Sequence, residues 1–288
     1  MWRKISIMLL VLLVSVSFST CKKKVGVKGI DLNVQFSDEK LSDNLITDMH
    51  YTWKTNSEFV KMGQDLSIFA HFWHKNNLLF EDSHVPEIPV SQWEPGEEYS
   101  YTRRIYIPTF IDEFDPDFSG EEELNLTVGF YSPYDRTGKT KQDVFVKKLK
   151  VFPPPLDTPE IIYEEGWYNL EINPEAYLKQ WRWTSSEARC IIDNPGRDAL
   201  LVIKGGVNRD AISDQKIVVK IEDLILDEFI PKDNFFEVSY NIRKEMLGEG
   251  EEFFLTIATD KVFVPANVFP NSKDNRELGV QVSFIYFR

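Results

Sequence analysis

The sequence predicts an all-β protein made of two antiparallel β-sandwich domains. Three observations lead there. Apolar residues recur at every second position in many short runs, the period of a half-buried strand. Turn residues such as Glu94-Pro95-Gly96-Glu97, Asp115-Pro116-Asp117 and Arg136-Thr137-Gly138-Lys139 separate the runs, with no long helical pattern between them. Near mid-chain, Val151-Phe152-Pro153-Pro154-Pro155-Leu156-Asp157-Thr158-Pro159 breaks the alternation, because consecutive prolines cannot donate to a sheet ladder and favour a stiff extended segment. A length of 288 residues suits two domains, and a chain that is 42% hydrophobic and 14% aromatic can bury real cores.

Residues 1–20 read as an export signal. Arg3 and Lys4 form a basic start, Ile5 to Val14 is an apolar run, and Ser15 to Thr20 turns small and polar. The run is shorter than the roughly 20 apolar residues a membrane span needs, and Lys22-Lys23-Lys24 closes it. Phe18-Ser19-Thr20-Cys21 resembles the lipobox of bacterial lipoproteins. That resemblance implies cleavage before Cys21 and lipidation of its thiol, with palmitate among the acyl groups. Several acyl chains hold a protein on its membrane, and Lys22 to Lys24 would add attraction to anionic headgroups. The expected location is the cell membrane or outer membrane, facing periplasm or exterior. Residues 21–45 are polar and weakly periodic and read as a lipidated tether with one short strand.

The first domain is expected over residues 46–152. Leu66, Ile68, Ala70 and Phe72 share one face of a strand. Tyr99 to Ile107, Leu124 to Phe130, and Val144 to Leu149 give three more. The order of Asp82-Ser83-His84-Val85-Pro86, Gln92-Trp93-Glu94-Pro95-Gly96-Glu97 and Leu126-Thr127-Val128-Gly129-Phe130-Tyr131 resembles an immunoglobulin-like module that accompanies bacterial membrane glycosyltransferases. The resemblance implies a fold more than an activity.

His71, His74 and His84 raise the question of a metal. The first two sit three apart in a strand and should face opposite ways, so no metal site is assigned. His84 is expected to be a turn residue bonding locally. The carboxylates of Asp112, Glu113, Asp115, Asp117, Glu121, Glu122 and Glu123 lack EF-hand spacing and read as a solvated loop.

After the proline-rich linker at 153–159, residues 160–288 carry the second domain. Strands are expected at Ala188–Ile192, Ala199–Lys204, Ile217–Ile221, Leu224–Phe229, Phe235–Tyr240, Glu252–Thr259 and Leu278–Phe287. With the Trp181-Arg182-Trp183-Thr184 stretch they suit a jelly roll. The domain resembles the galactose-binding-like jelly rolls of carbohydrate-binding modules. The likeness runs through Trp181-Arg182-Trp183-Thr184, Asn194-Pro195-Gly196-Arg197-Asp198 and Arg276-Glu277-Leu278-Gly279, and it brings no reaction with it.

Aromatic faces pack on the apolar side of a sugar ring, and fixed polar groups bond its hydroxyls. Trp181, Trp183, Arg182, Arg197, Asp274 and Arg276 supply both kinds, and are the candidate ligand-binding residues. The competing reading makes Trp181 and Trp183 core, sends Arg182 to solvent, and pairs Asp274 with Arg276 in a loop.

The formal charge is -13, and a chain this acidic is repelled by phosphate backbones, so no nucleic-acid partner is expected. There are two cysteines; with Cys21 lipidated, Cys190 reads as a buried structural thiol without a disulfide. No Gly-x-Ser-x-Gly, His-Glu-x-x-His or phosphate loop is present, so neither catalysis nor a cofactor is expected. The sequence points to a membrane-anchored surface lipoprotein that binds a cell-envelope glycan or polysaccharide. The alternative is an accessory subunit docking on a membrane glycan-assembly or secretion complex.

Overall fold

The computed structural model describes residues 26–173 and 176–288, with 176–179 as backbone alone. The signal segment and Cys21 lie outside the described residues. The fold is all-β, in two compact units that divide between Pro154 and Pro155. No helix among the described residues is long and apolar enough to cross a membrane.

The first unit is a sandwich of two sheets. One holds β1 (Ile30–Phe36), β3 (Leu45–Thr55) and β6 (Glu98–Ile107), in the order β1-β3-β6. The other holds β2 (Leu41–Ser42), β4 (Ser67–His74), β5 (Asn77–His84), β7 (Glu122–Tyr131) and β8 (Gln142–Phe152), in the order β2-β8-β7-β4-β5. All pairs are antiparallel except the short parallel contact of β2 with β8. Alternate residues point inward as strand geometry requires. Met49, Tyr51 and Trp53 of β3 meet Ile68, Ala70 and Phe72 of β4 and Leu126, Val128 and Phe130 of β7 in one core.

The expected tether is corrected here. Residues 30–42 contribute two strands to the sandwich, and β1 pairs with β3 along its full length. Ile30 and Val34 are buried between exposed Asp31, Asn33 and Gln35. The alternation is present but carries too few apolar residues to stand out in a polar stretch.

The second unit, Pro155–Arg288, is a sandwich of two five-stranded antiparallel sheets. One contains β10 (Glu171–Asn173), β11 (Ala176–Trp183), β13 (Ala199–Gly206), β16 (Phe235–Ile242) and β18 (Gln281–Phe287), ordered β10-β11-β18-β13-β16. The other contains β9 (Ile161–Tyr163), β12 (Glu187–Asp193), β14 (Ile217–Ile221), β15 (Leu224–Phe229) and β17 (Glu252–Thr259), ordered β15-β14-β17-β12-β9. Its core joins Leu201, Ile203, Val282, Ile285 and Phe287 of the first sheet to Cys190, Ile192, Val219, Leu255 and Ile257 of the second.

In the first unit, the histidines follow the strand. His71 lies 3.1 Å from Glu81, and His74 lies 3.1 Å from Glu122. His84 is not a turn residue. It closes β5 facing inward, with Nδ1 3.0 Å from Asp82 and its side chain 5% exposed. Its Nε2 lies 2.9 Å from the Tyr101 hydroxyl. Asp82 also takes a two-pronged bond from Arg103, at 3.1 and 2.7 Å. This cluster joins β5, at the edge of one sheet, to β6, at the edge of the other.

Several carboxylates of the acidic stretch have partners. Asp112 and Asp115 accept backbone N–H groups of Phe114 and Asp117, and Glu121 and Glu123 pair with Lys150 and Lys148. No group of three or more metal-type ligands is found among the described residues.

Candidate functional site

The direction of β11 decides what its tryptophans do. Directly opposed residues of an antiparallel pair share a face. Arg182 is opposite Val282, which belongs to the core, whereas Trp183 is opposite Gln281 and Trp181 is opposite Glu171. Arg182 is therefore on the inner face, and both tryptophans are on the outer face. This inverts the competing expectation of a tryptophan core with a solvated arginine.

Arg182 is accommodated because β11 and β9 both lie near the open edge of their sheets. Its guanidinium sits 4.7 Å from the centre of the Tyr163 ring on the facing sheet, and Nη1 donates to the Tyr168 carbonyl at 3.3 Å. Burial pushes the Tyr163 hydroxyl up to about 12 and the neighbouring Cys190 thiol also up to about 12. Trp167 completes this closure by donating Nε1–H to the Arg189 carbonyl at 2.9 Å. Arg182 thus plugs the sandwich edge and does not belong to an outer site.

Outside, a continuous polar chain borders the tryptophans. Trp181 donates Nε1–H to Glu171 Oε2 at 2.9 Å. Glu171 Oε1 lies 2.9 Å from Arg276 Nη2. Arg276 forks onto Asp274, with Nε to Oδ1 at 3.0 Å and Nη2 to Oδ2 at 2.7 Å. The hydrogen bonds to Asp274, and then to Glu171, raise the Arg276 pKa, while the Arg276 hydrogen bond lowers that of Asp274. The guanidinium also lies 5.1 Å from the Tyr168 ring centre, a cation–π distance. All three charged side chains are about one-third exposed, at 36% for Arg276, 33% for Glu171 and 28% for Asp274.

The loop after β17 holds these groups against the sheet. Trp183 meets Phe263 edge to face with centroids 5.9 Å apart. Phe263 in turn bridges to Leu278. Buried Thr184 accepts the Val280 N–H on its hydroxyl at 2.9 Å. A Cβ at Gly279 would come within 2.2 Å of the Ser185 carbonyl, so only glycine lets the loop pass this close.

Of the six candidate ligand residues, Trp181, Trp183, Asp274 and Arg276 come together on or beside the outer face of β11. Arg182 faces the other way. Arg197 is also set apart, in the turn before β13, where it donates to Asp157 at 2.8 Å. β13 carries the chain from Ala199 past Gly205, the residue opposite Val282, so Arg197, in the turn before that strand, is separated from the tryptophans by about 20 Å of strand. Two members were missed in the sequence, Glu171 and Tyr168. Glu171 is brought in by its register opposite Trp181, and no local motif announces it.

A second concavity, of about 280 Å³, lies on the outer face of β4 in the first unit, lined by Phe69, His71, Glu81, Ser83, Tyr131 and Lys141 among others. Its polar groups satisfy one another. Lys141 Nζ donates to His71 Nδ1 at 3.1 Å and covers the Phe69 ring at 4.3 Å, and Glu81 takes the other imidazole nitrogen. Burial, and then the Lys141 charge, push the His71 pKa down, so the ring is neutral at neutral pH. Its donors and acceptors are paired with one another, as those beside β11 are; what the β11 face adds is two tryptophans on one outer face.

No protein family and no curated protein sequence matches this chain. Several solved structures are similar at low levels. A secreted serine protease, VesC from Vibrio cholerae, is 10% identical, with 89% of this chain and 50% of that one covered, at a TM-score of 0.25. The CBM51-2 and INT domains of Clostridium perfringens ZmpB, in complex with GlcNAc, are 12% identical over 60% of this chain and 39% of that one, at a TM-score of 0.23. The collagen adhesin CNA from S. aureus is 10% identical over 90% and 93%, at a TM-score of 0.18. The chain spans half or less of the length of the first two. Similarity at this level fixes neither fold nor function.

Proposed function

We propose that this chain is a lipid-anchored, non-catalytic binding protein of a bacterial envelope, whose second unit holds a saccharide of a cell-envelope glycan. The observation that carries the reading is the outward face of β11. There Trp181 and Trp183 stand beside the Trp181–Glu171–Arg276–Asp274 chain of fixed donors and acceptors. An indole face suits the C–H side of a pyranose, and the forked arginine and flanking carboxylates suit its hydroxyls. The anchor is Cys21.

A glycan array probed with the purified chain, followed by calorimetry on the hits, tests the proposal. Trp183→Ala and Trp181→Ala should each weaken binding about tenfold or more, corresponding to about 1.4 kcal/mol, with circular dichroism unchanged. Arg197→Ala should have no effect. Binding that survives both tryptophan changes would remove the site. An array without hits, together with co-purification of a membrane enzyme, would favour the accessory-subunit reading instead.

A further inference from the structure

One end of the first unit brings exposed apolar side chains beside exposed cations. Three connections meet there: residues 56–66 between β3 and β4, residues 85–97 between β5 and β6, and residues 132–141 between β7 and β8. Strand register puts them together, since Lys54 is opposite Glu98, Ile68 opposite His84, Ser67 opposite Tyr131, and Phe130 opposite Gln142. The two sheets meet at this end where Trp53 lies 5.0 Å from Phe130 and Trp93 packs against Trp53 and Phe130 at 5.4 and 5.9 Å.

These connections expose apolar side chains at their tips: Val60 at 79%, Val85 at 66%, Ile88 at 47% and Tyr134 at 91%. Beside Tyr134 stand exposed Arg136 and Lys139. The one acidic residue of this loop, Asp135, is turned inward by its own loop. It accepts the Thr137 N–H and hydroxyl and the Thr140 N–H at 2.8, 2.6 and 2.7 Å. In a chain of net charge -13 this is a locally basic, aromatic tip.

The chain leading to Cys21 emerges at the same end, where Gly26 donates its N–H to the Asp143 carbonyl at 3.0 Å. Cys21 to Gly26 is five residues along the chain, which reach about 17 Å at full extension. A lipid on Cys21 therefore holds this end within that distance of the headgroups.

We infer that the 132–141 tip forms a docking surface for an anionic bilayer, while the 56–66 and 85–97 connections, which carry Glu58, Asp65, Glu87, Glu94 and Glu97, stay outside it. Tyr134 enters the headgroup region, and Arg136 and Lys139 face the lipid phosphates. Amphipathic tyrosine suits that zone, and each basic residue near an anionic surface adds attraction. The inference rests on the lipid anchor proposed above and adds to it an orientation.

The test uses the acylated chain purified from membranes and reconstituted on phosphatidylglycerol–phosphatidylcholine vesicles. Tyr134→Cys, and in a second protein Phe114→Cys, carry an environment-sensitive fluorophore. Phe114 is 96% exposed in the connection at the opposite end of the unit, and buried Cys190 does not compete for the label. The expected result is a blue-shifted, brighter signal at residue 134, an aqueous signal at residue 114, and a loss of the shift in Arg136→Glu/Lys139→Glu. A chain that floats with the vesicles but keeps residue 134 aqueous overturns this inference and leaves the anchor standing. A chain that does not float overturns both.

Discussion

Removing the charge of Asp82 tests how the edge of the first sandwich is held shut. Burial alone would raise the pKa of this carboxyl, yet hydrogen bonds from His84 and Arg103 and their charges hold it down at about 2. An unfolded aspartate titrates near about 3.9, so the native state binds the charged form more tightly by nearly two pKa units, or roughly 2.5 kcal/mol. Asp82 is 13% exposed but Arg103 is 42% exposed, and solvent screening reduces this to about 1–2 kcal/mol. The sign follows from the depressed pKa. The stabilisation is fully present above the unfolded value near 4 and is lost as pH falls through about 2. Asp82→Asn should therefore destabilise the first unit by about 1–2 kcal/mol at pH 7. The gap between variant and parent should narrow as pH falls below about 4 and close only below about 2. Hydrogen exchange read by mass spectrometry on peptides of β5 and β6, at neutral pH and near pH 2.5, isolates this unit from its neighbour. A variant as protected as the parent at neutral pH, or a gap independent of pH, would refute the reasoning.

Two further outcomes can be checked on the same preparation. Gly129→Ala should lower the melting temperature sharply, by an effect above about 2 kcal/mol. The new methyl would lie 2.0 Å from the Gln142 carbonyl and 2.8 Å from the Phe69 ring, whereas Gly63→Ala meets nothing within 4 Å and should be neutral. Cys190 should resist a thiol reagent such as DTNB at neutral pH until the second unit unfolds, because burial pushes its thiol up to about 12 and leaves almost no thiolate; rapid labelling of the native protein would contradict its placement in the core.

Much of the fold was legible because central strands bury one face. Leu124, Leu126, Val128 and Phe130 alternate without a break, and so do the inward residues of β4. Some edge strands were legible, as β6, β15 and β16 were, but β1 and β5 were not. β5 exposes some of both faces, and β1 offers only Ile30 and Val34 as buried residues. Strand period also cannot say which face turns inward. Trp181 and Trp183 do share a face, but only the pairing of Arg182 with Val282 shows that this face looks outward. Apolar content pointed to the reverse, because an arginine on an inner face requires an aromatic ring and a carbonyl waiting for it, and Tyr163 and Tyr168 lie well upstream in sequence. The Asp274–Arg276 fork was legible from its spacing; its connection to Trp181 through Glu171 was not.

The first unit receives the chain at one end and releases it at the other. Both β1 and β8 run from the end near Gly26 toward the end near Phe152. Tension drawn between those two points acts along the strands, so the ladder bonds joining β1 to β3 are sheared together and do not open in succession like a zipper. Several must fail at once before the unit yields, which slows the rate that governs forced opening. Shear geometry of this kind gives the unit resistance to tension along its strands without any covalent cross-link.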